Sequence, residues 1–418
     1  MAGCGADRGI PVNHSVPREL LVITQWYRPE LIGTAFYSGD LSEWFAEQGS
    51  RVTVLTNRPS YPGDEIFPEY RNGERDHEDL NGVSVRRISA IVARGGGAKA
   101  RIFAEIYFVV RGLLALVTGR VARSQFVVSF CPSVMAVFLG WISRRRGGRH
   151  IAVVHDIQSG LAGGLGLLGD GALMRLVRAT ERFCLNRADH LVVLSEQMRE
   201  ALLSLGVKRP IAIVPIWVDI RQIFPLPRPE GAPPTILYGG NLGRKQGLEQ
   251  LLDLADVLMK KRPDIQILVR GGGSQEESLR ESARRRGLEN LHFEPLLPFD
   301  RFNQGLAEGD VHLVPQDPEA ADFAVPSKVY NIMAAGRPFV ATALPGTTLW
   351  ALQGQSGMDF CVPPNSPREF ADAVVRLIDN PEKRAEIGAQ SRAYVEVEVS
   401  RDAVLKRYAN LVTGQPAT

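Results

Sequence analysis

Near the start of the chain a short apolar run (residues 19–24) is followed by a loop with Pro29 and Gly33. A helical stretch (35–48, stopped at Gly49) and a second apolar run (51–56) come next. Strand, loop, helix, strand is the unit of a doubly wound parallel sheet, because parallel neighbours need a crossover and the helix supplies it. The alternation continues with strands expected at 125–129, 150–155, 190–194 and 211–214, and helices at 133–143, 172–187 and 195–205. Six prolines from Pro215 to Pro234 interrupt it, and such a segment builds a poor core. The pattern then restarts, with strands at 235–238, 264–269, 291–293, 310–314 and 339–342 and helices at 248–260, 275–286, 328–335, 367–380, 381–395 and 404–412. The expected fold is α/β, with two doubly wound, Rossmann-like domains facing a cleft. Residues 1–18 form a flexible N-terminus, 19–216 the first domain, 217–234 a linker and 235–397 the second, with a terminal helix at 398–413 packing back on the first domain. Ligands of such sheets bind at the carboxyl ends of the strands.

A chain of 418 residues has room for two such domains, and its 44% hydrophobic content excludes wholesale disorder. The net charge of +3 excludes a nucleic-acid coat protein, so no nucleic acid is expected as partner. Four scattered cysteines exclude a disulfide framework or a Cys-based zinc site and fit a cytoplasmic setting. No secretory leader and no clean membrane span are legible. The balanced total hides one asymmetry: between Arg86 and Arg149 there are twelve basic residues and the single acid Glu105, around an apolar stretch at 102–117. Apolar bulk flanked by cations suits an anionic membrane surface; a buried helix beside a solvated basic surface is the other reading.

Five segments carry candidate chemistry. The glycine-rich stretch 239–247 lies between strand and helix, where free amides and the cations Arg244 and Lys245 favour an anion; Asn241 and Gly243 belong to it. It lacks the Gly-Lys-Ser/Thr ending of a Walker loop. Arg270-Gly271-Gly272-Gly273 repeats the placement, and a tight turn explains it equally well. In Pro326-Ser327-Lys328, leading to Asn331, Ser327 is expected to cap the following helix. A cation such as Lys328 opposes the dipole there unless an anion sits beside it. His155-Asp156 stands at a strand's end, as cleft lining or as an acid–base pair. Gly33 and Thr34 open a helix after the first loop, in position to meet a phosphate or simply to make a βα turn. Asp-x-Asp, H-E-x-x-H and G-x-S-x-G are absent from the sequence, which argues against a metal-bound nucleotide-sugar site, zinc hydrolysis and serine esterase work.

The segments 24–30 with Gly33-Thr34, 155–158, 214–219, 240–247 and 326–338 resemble retaining GT-B glycosyltransferases of glycosyltransferase family 4. They are most similar to the exopolysaccharide and O-antigen branch of colanic-acid fucosyl- and N-acetylfucosaminyl-transferases. The resemblance implies transfer of a sugar from a nucleotide diphosphate-sugar co-substrate, UDP favoured over GDP, to a hydroxyl of a glycan or lipid-linked acceptor. It implies no cofactor and no essential metal. His155, Asp156 and Lys328 would be catalytic. Gly33, Thr34, Asn241, Gly243, Arg244, Lys245, Gly272, Asp322, Ser327 and Asn331 would bind the donor. The sequence departs from the family where a Glu-x7-Glu pair is usual: Asn331 replaces the second Glu, and the first falls at Phe323 beside Asp322. Asn241 stands where an Arg is usual, and Lys245 is one residue early.

The function expected is a retaining glycosyltransferase of bacterial surface polysaccharide synthesis, cytoplasmic and peripheral on the inner face of the cell membrane. The alternatives are a nucleotide-sugar epimerase or hydrolase of the same fold and a non-catalytic nucleotide-binding partner subunit.

Overall fold

The computed structural model describes residues 16–30, 32–61, 63, 65–92, 98–157, 171–243, 246–318 and 326–415. The chain folds as two compact units, Met1–Leu194 with Met198–Val214 and Leu405–Thr418, and Ser195–Gln197 with Pro215–Val404.

Unit 1 contains β1 (Glu19–Ile23), α1 (Gly33–Glu47), β2 (Arg51–Asn57), β3 (His77–Leu80), β4 (Val83–Ile88), α2 (Ala98–Val117), β5 (Ser124–Cys131) and α3 (Val134–Ser143). It continues with β6 (Arg144–Val154), α4 (Ala172–Leu185), β7 (His190–Val193), α5 (Glu196–Ser204) and β8 (Ile211–Ile213). The strands form one sheet ordered β3-β4-β2-β1-β5-β6-β7-β8, parallel except for β3 against β4. Pairing runs Leu20↔Val52 on one side of β1 and Leu21↔Val127 on the other. The chain therefore reverses its direction of winding between β1 and β5, and the loops leaving these strands diverge there. The sheet is buried on both faces, so its strands are almost continuously apolar; Leu21, Val22, Val127, Val128, Ile151 and Val153 are all sealed.

Unit 2 contains β9 (Thr235–Gly239), α6 (Glu249–Lys261), β10 (Gln266–Arg270), α7 (Glu276–Arg285), β11 (Leu291–Glu294), α8 (Phe302–Ala307), β12 (Val311–Val314) and α9 (Lys328–Ala334). Then come β13 (Phe339–Thr342), α10 (Thr348–Ser356), β14 (Cys361–Val362), α11 (Pro367–Ile378), α12 (Pro381–Tyr394) and α13 (Arg401–Thr413), whose residues from Leu405 belong to unit 1. Its sheet is all parallel, ordered β11-β10-β9-β12-β13-β14, and reverses between β9 and β12. Two Rossmann-like parallel sheets in an α/β chain are the fold class expected from the alternation.

Residues 217–234 are packed on unit 2. Trp217 and Val218 are buried, and the backbone of Val218 bonds Val399 and Arg401. Proline-rich backbone leaves carbonyls without internal partners. Here they are met by guanidinium groups: Arg337 donates to Leu226 O (2.7 Å) and Arg392 to Ile223 O (2.8 Å). At the far end of the chain Arg149 donates to Leu411 O (3.1 Å), which ties α13 to β6.

Candidate functional site

In unit 2 the ends of β9 and β10, the loop after β11, α8 and the start of α9 surround a cavity of ≈ 230 Å³. Gly239, Gly240, Arg270, Ser327, Lys328 and Asn331 line its polar part. Leu296, Leu297, Phe302 and Leu306 make its apolar wall. Register explains the convergence: Gly239 is paired with Arg270 at the ends of adjacent strands. Lys328 and Asn331 are three residues apart on one helix and share a face.

Lys328 is the most informative residue here. The residue as a whole is half-buried, but its Nζ is enclosed and has no hydrogen-bond partner among the described residues. The ammonium lies 3.8 Å from the centroid of the Tyr238 ring, on the negative face of that ring. Burial pulls its pKa down to about 7. A ring quadrupole offsets part of the desolvation cost of the charge but satisfies none of its three N–H donors. The nearby backbone is Gly240, whose φ of +139° a side chain would strain; a Cβ there would stand 3.8 Å from Nζ. Tyr238 is fixed in turn by its hydroxyl, which donates to Asn241 O (2.7 Å).

Arg270 is the other cation of the cavity, but its charge is spent. It meets Glu308 at 2.5 Å and Glu294 at 2.6 Å, so it holds the wall in place. Gly271 and Gly273 are also spent. A Cβ on Gly271 would lie 2.0 Å from Gly240 O, and one on Gly273 2.6 Å from Leu242 O. These glycines let the two βα loops interlock, through Gly240 N to Arg270 O (3.0 Å) and Leu242 N to Gly272 O (2.9 Å). Gly272 faces open space, with only Glu276 Oε2 at 3.6 Å from a built Cβ. The Asn241 side chain folds against Gly243 and Gly273.

Ser327 does not cap α9, contrary to expectation. It has helical dihedrals (φ −54°, ψ −30°) and no side-chain capping bond. The turn begins one residue earlier, where Pro326 O accepts Val329 N (3.0 Å), so the hydroxyl cannot reach an amide and stays exposed at the rim of the cavity. Arg244, Lys245 and Asp322 lie outside the described residues.

In unit 1, Gly33 and Thr34 begin α1 and His155 follows β6, all at the carboxyl ends of strands near the reversal. Tyr37 of α1 joins them: its ring meets the His155 ring edge-on at 5.5 Å, and Phe130 does so at 5.6 Å. His155 is half-buried, but its Nε2 is enclosed and has no partner among the described residues, and burial lowers its pKa to about 4. It is a neutral imidazole at pH 7, with one polar atom uncommitted. Asp156 beside it is half-buried and engaged in interactions of its own. Among the described residues no other side chain comes within 4 Å of a Cβ built on Gly33, and α1 has no side-chain cap. The loop before it is held by Glu30, which accepts the amides of Tyr27 (3.2 Å), Ser60 (3.0 Å) and Tyr61 (3.0 Å). Glu30 is thus a structural clamp.

Sequence reasoning missed Tyr238 as a partner of Lys328, and the apolar wall. The wall had a signal: Phe302 and Leu306, four residues apart, are one face of a helical turn. Tyr238 had none, since strand tyrosines are ordinarily core residues.

The comparisons with known proteins agree with this geometry. Residues 33–217 match the family described as glycosyl transferase 4-like domain, and residues 233–380 match glycosyl transferases group 1. WcaI of Escherichia coli K12, a glycosyl transferase named for colanic acid biosynthesis, is 29% identical over 95% of this chain and 100% of its own. WbjE of Pseudomonas aeruginosa, named as a glycosyltransferase, is 28% identical over 75% of this chain and 79% of its own. Among solved structures, sucrose-phosphate synthase from Thermosynechococcus elongatus superposes with a TM-score of 0.72 at 17% identity, covering 95% of this chain and 99% of that one. Anabaena HepE, solved in complex with UDP, does so with a TM-score of 0.68 at 14% identity, covering 95% and 100%. Two matched family halves covering most of the chain, on two Rossmann-like sheets, place it among the group 1 glycosyl transferases: it is a glycosyltransferase of the GT-B type.

Proposed function

We propose that this glycosyltransferase moves a sugar from a nucleotide diphosphate donor, UDP-linked in preference to GDP-linked, to a hydroxyl of a lipid-linked glycan in surface polysaccharide synthesis. The anomeric configuration is retained and no metal is required. The observation that carries this reading is the Lys328 ammonium, enclosed beside the Gly240 backbone and without a hydrogen-bond partner among the described residues. A diphosphate supplies what that group lacks, and an organic cation there takes the place of a divalent ion in stabilising the leaving group. Ser327 and Asn331 add neutral donors, Asn331 to a ribose hydroxyl. Arg244 and Lys245, close by in sequence, add charge. Asp322 is assigned to the donor sugar. Likeness to WcaI, named for colanic acid biosynthesis, supports the polysaccharide setting; a cytoplasmic site of action at the membrane is part of the same proposal.

The neutral imidazole of His155 is assigned a hydrogen bond to a sugar hydroxyl, with Asp156 as polar lining and Gly33 and Thr34 as amide donors. His155→Ala is expected to lower kcat about tenfold or more while leaving nucleotide affinity nearly unchanged, the effect of one lost bond in an enclosed site. Equal losses in kcat and nucleotide affinity, read by kinetics and calorimetry, sink the assignment.

Calorimetry against UDP, GDP, ADP and dTDP in EDTA tests the reading as a whole. Micromolar UDP binding without metal, weakened roughly tenfold to a hundredfold in Lys328→Met, is the expected result. Binding only when a divalent ion is restored overturns metal independence. Donor consumption without acceptor turns the reading to an epimerase or hydrolase, and binding without turnover to a non-catalytic partner.

A further inference from the structure

We infer that unit 1 docks on an anionic lipid surface through one layer of helices, α2, α3 and α4. The inference deepens the proposed function, because it rests on a lipid-linked acceptor for its purpose, though not for its geometry.

Helix α2 packs on α3, and α3 on α4. The inner side of α2 is sealed into the core by Phe108 and Ala115. Its outer side is apolar as well: Ile102, Phe103, Ile106, Val110, Leu114 and Val117 are between 40% and 84% exposed. Their spacing of one, three or four residues draws a single stripe along the helix. An unpartnered apolar stripe of this length is unusual on a soluble surface. Helix α4 repeats it independently, with Leu176 and Phe183 exposed beside Arg175 and Arg182. Between the two, Arg187 stacks on Phe183 (4.6 Å) and on Trp141 of α3 (4.8 Å).

The charges select the occupant. Across residues 98–149 and 171–187 the only acids are Glu105 and Glu181. Neither faces outward: Glu105 accepts the Ser133 hydroxyl at 2.5 Å, and Glu181 is buried. The exposed charges are arginines, among them Arg120, Arg123 and Arg146 beyond the end of α2 and at the start of β6, with Arg175 and Arg182 on α4. A second copy of this chain would set arginine against arginine across a twofold contact, which disfavours a dimer here. Acidic phospholipid offers the opposite charge to the arginines and an apolar layer to the stripe at once. No described helix is long and apolar enough to cross a membrane, so the contact is peripheral.

The test is co-sedimentation of the full chain with vesicles of phosphatidylcholine alone or with about one-third phosphatidylglycerol, at low and high salt, with UDP binding measured on every sample. Wild type is expected to partition onto the anionic vesicles at low salt only. Phe103→Glu/Val110→Glu and Leu176→Glu/Phe183→Glu are each expected to lose roughly tenfold or more of that partition, since each removes two exposed apolar side chains that the lipid would cover and adds two repelled charges. UDP affinity should not change. Hydrogen exchange of the wild type should show vesicle-dependent protection in α2 and α4, which needs no variant to fold. Wild type remaining in the supernatant, or protection elsewhere, overturns the proposal. So does a dimer that Val110→Glu dissociates, which assigns the face to a second copy. Vesicle binding without UDP binding fails the donor reading and leaves the docking face standing; UDP binding without vesicle binding does the reverse.

Discussion

Lys328→Met is expected to cut donor binding and turnover by roughly tenfold to a hundredfold and to stabilise the ligand-free protein. The first effect is the loss of a charge-assisted contact in an enclosed site, about 1.5–3 kcal/mol. The second follows from the same burial. The Lys328 pKa is drawn down to about 7 in the folded chain, whereas an unfolded lysine titrates near 10.4. Between those values the unfolded chain holds a proton that the folded chain does not, so stability rises with pH across that window and the full penalty is present below about 7. Methionine removes the penalty while keeping an unbranched apolar side chain against Tyr238. The melting temperature of the variant without ligand should therefore exceed that of wild type at pH 7, and the two should converge toward pH 10. Donor affinity should show the opposite slope. A diphosphate favours the ammonium, so binding takes up a proton above pH 7 and wild-type affinity for a nucleotide-sugar should weaken by up to about tenfold per pH unit. That slope should be missing in the variant. Thermal melts and calorimetry across pH 6–9 check both halves. An unchanged affinity, or a destabilised apo protein, removes Lys328 from the donor site.

The penalty at Lys328 has its counterpart in the rest of the cavity. Arg270, in the same cavity, is neutralised by Glu294 and Glu308, and its elongated side chain holds the wall. Of the two described cations, one has been paired with protein acids and the other only with a ring face. A fold selected for stability alone would pair or delete both. Leaving the Lys328 ammonium unsatisfied is a cost that a bound anion removes, which is the pattern expected of a binding group held ready for its ligand.

Much of the fold was legible because both periods are strong. The strands of parallel sheets are apolar throughout, and runs such as 19–24, 150–155 and 264–269 announce themselves. The hairpin of β3 and β4 went unread although it carried a signal: Asn81 and Gly82, both with positive φ, between runs ending at Leu80 and starting at Val83. Its strands alternate and are weakly apolar, so a search for buried-type runs passes over them. Helix α10 was missed because TLWALQGQS carries no helical apolar period, and β14 because it is two residues long. Of the residues picked out by type and order, Lys328 and Asn331 line the unit 2 cavity, and His155 stands after β6 in unit 1. What could not be read was how each polar atom is used. Whether Ser327 caps, Arg270 is free or Gly273 frees an amide depends on which backbone lies opposite, and that is set by contacts far apart in sequence.

Gly271→Ala is expected to have the largest effect on stability among substitutions in the candidate site, although it adds one carbon and touches no ligand. The added Cβ would stand 2.0 Å from Gly240 O and 3.4 Å from Leu242 Cγ. The closer obstacle is backbone, which cannot rotate aside, so the β9 and β10 loops must part. Parting them strains Gly240 N to Arg270 O (3.0 Å) and Leu242 N to Gly272 O (2.9 Å). It also moves Gly240 relative to Lys328. Overpacking of this kind costs about 1–3 kcal/mol or more, and the displaced cavity floor should cost nucleotide affinity in addition. Gly33→Ala is the control. Among the described residues, no atom beyond its chain neighbours and its own helix backbone lies within 4 Å of a Cβ there, and the position begins a helix, where alanine is at least as well accommodated. Denaturant unfolding should find unit 2 destabilised in Gly271→Ala and the protein unaltered or slightly stabilised in Gly33→Ala. UDP binding should be weakened in the first; the second serves as a control for stability alone. If Gly271→Ala unfolds like wild type, the two loops are not interlocked as described, and the cavity that holds Lys328 loses its floor.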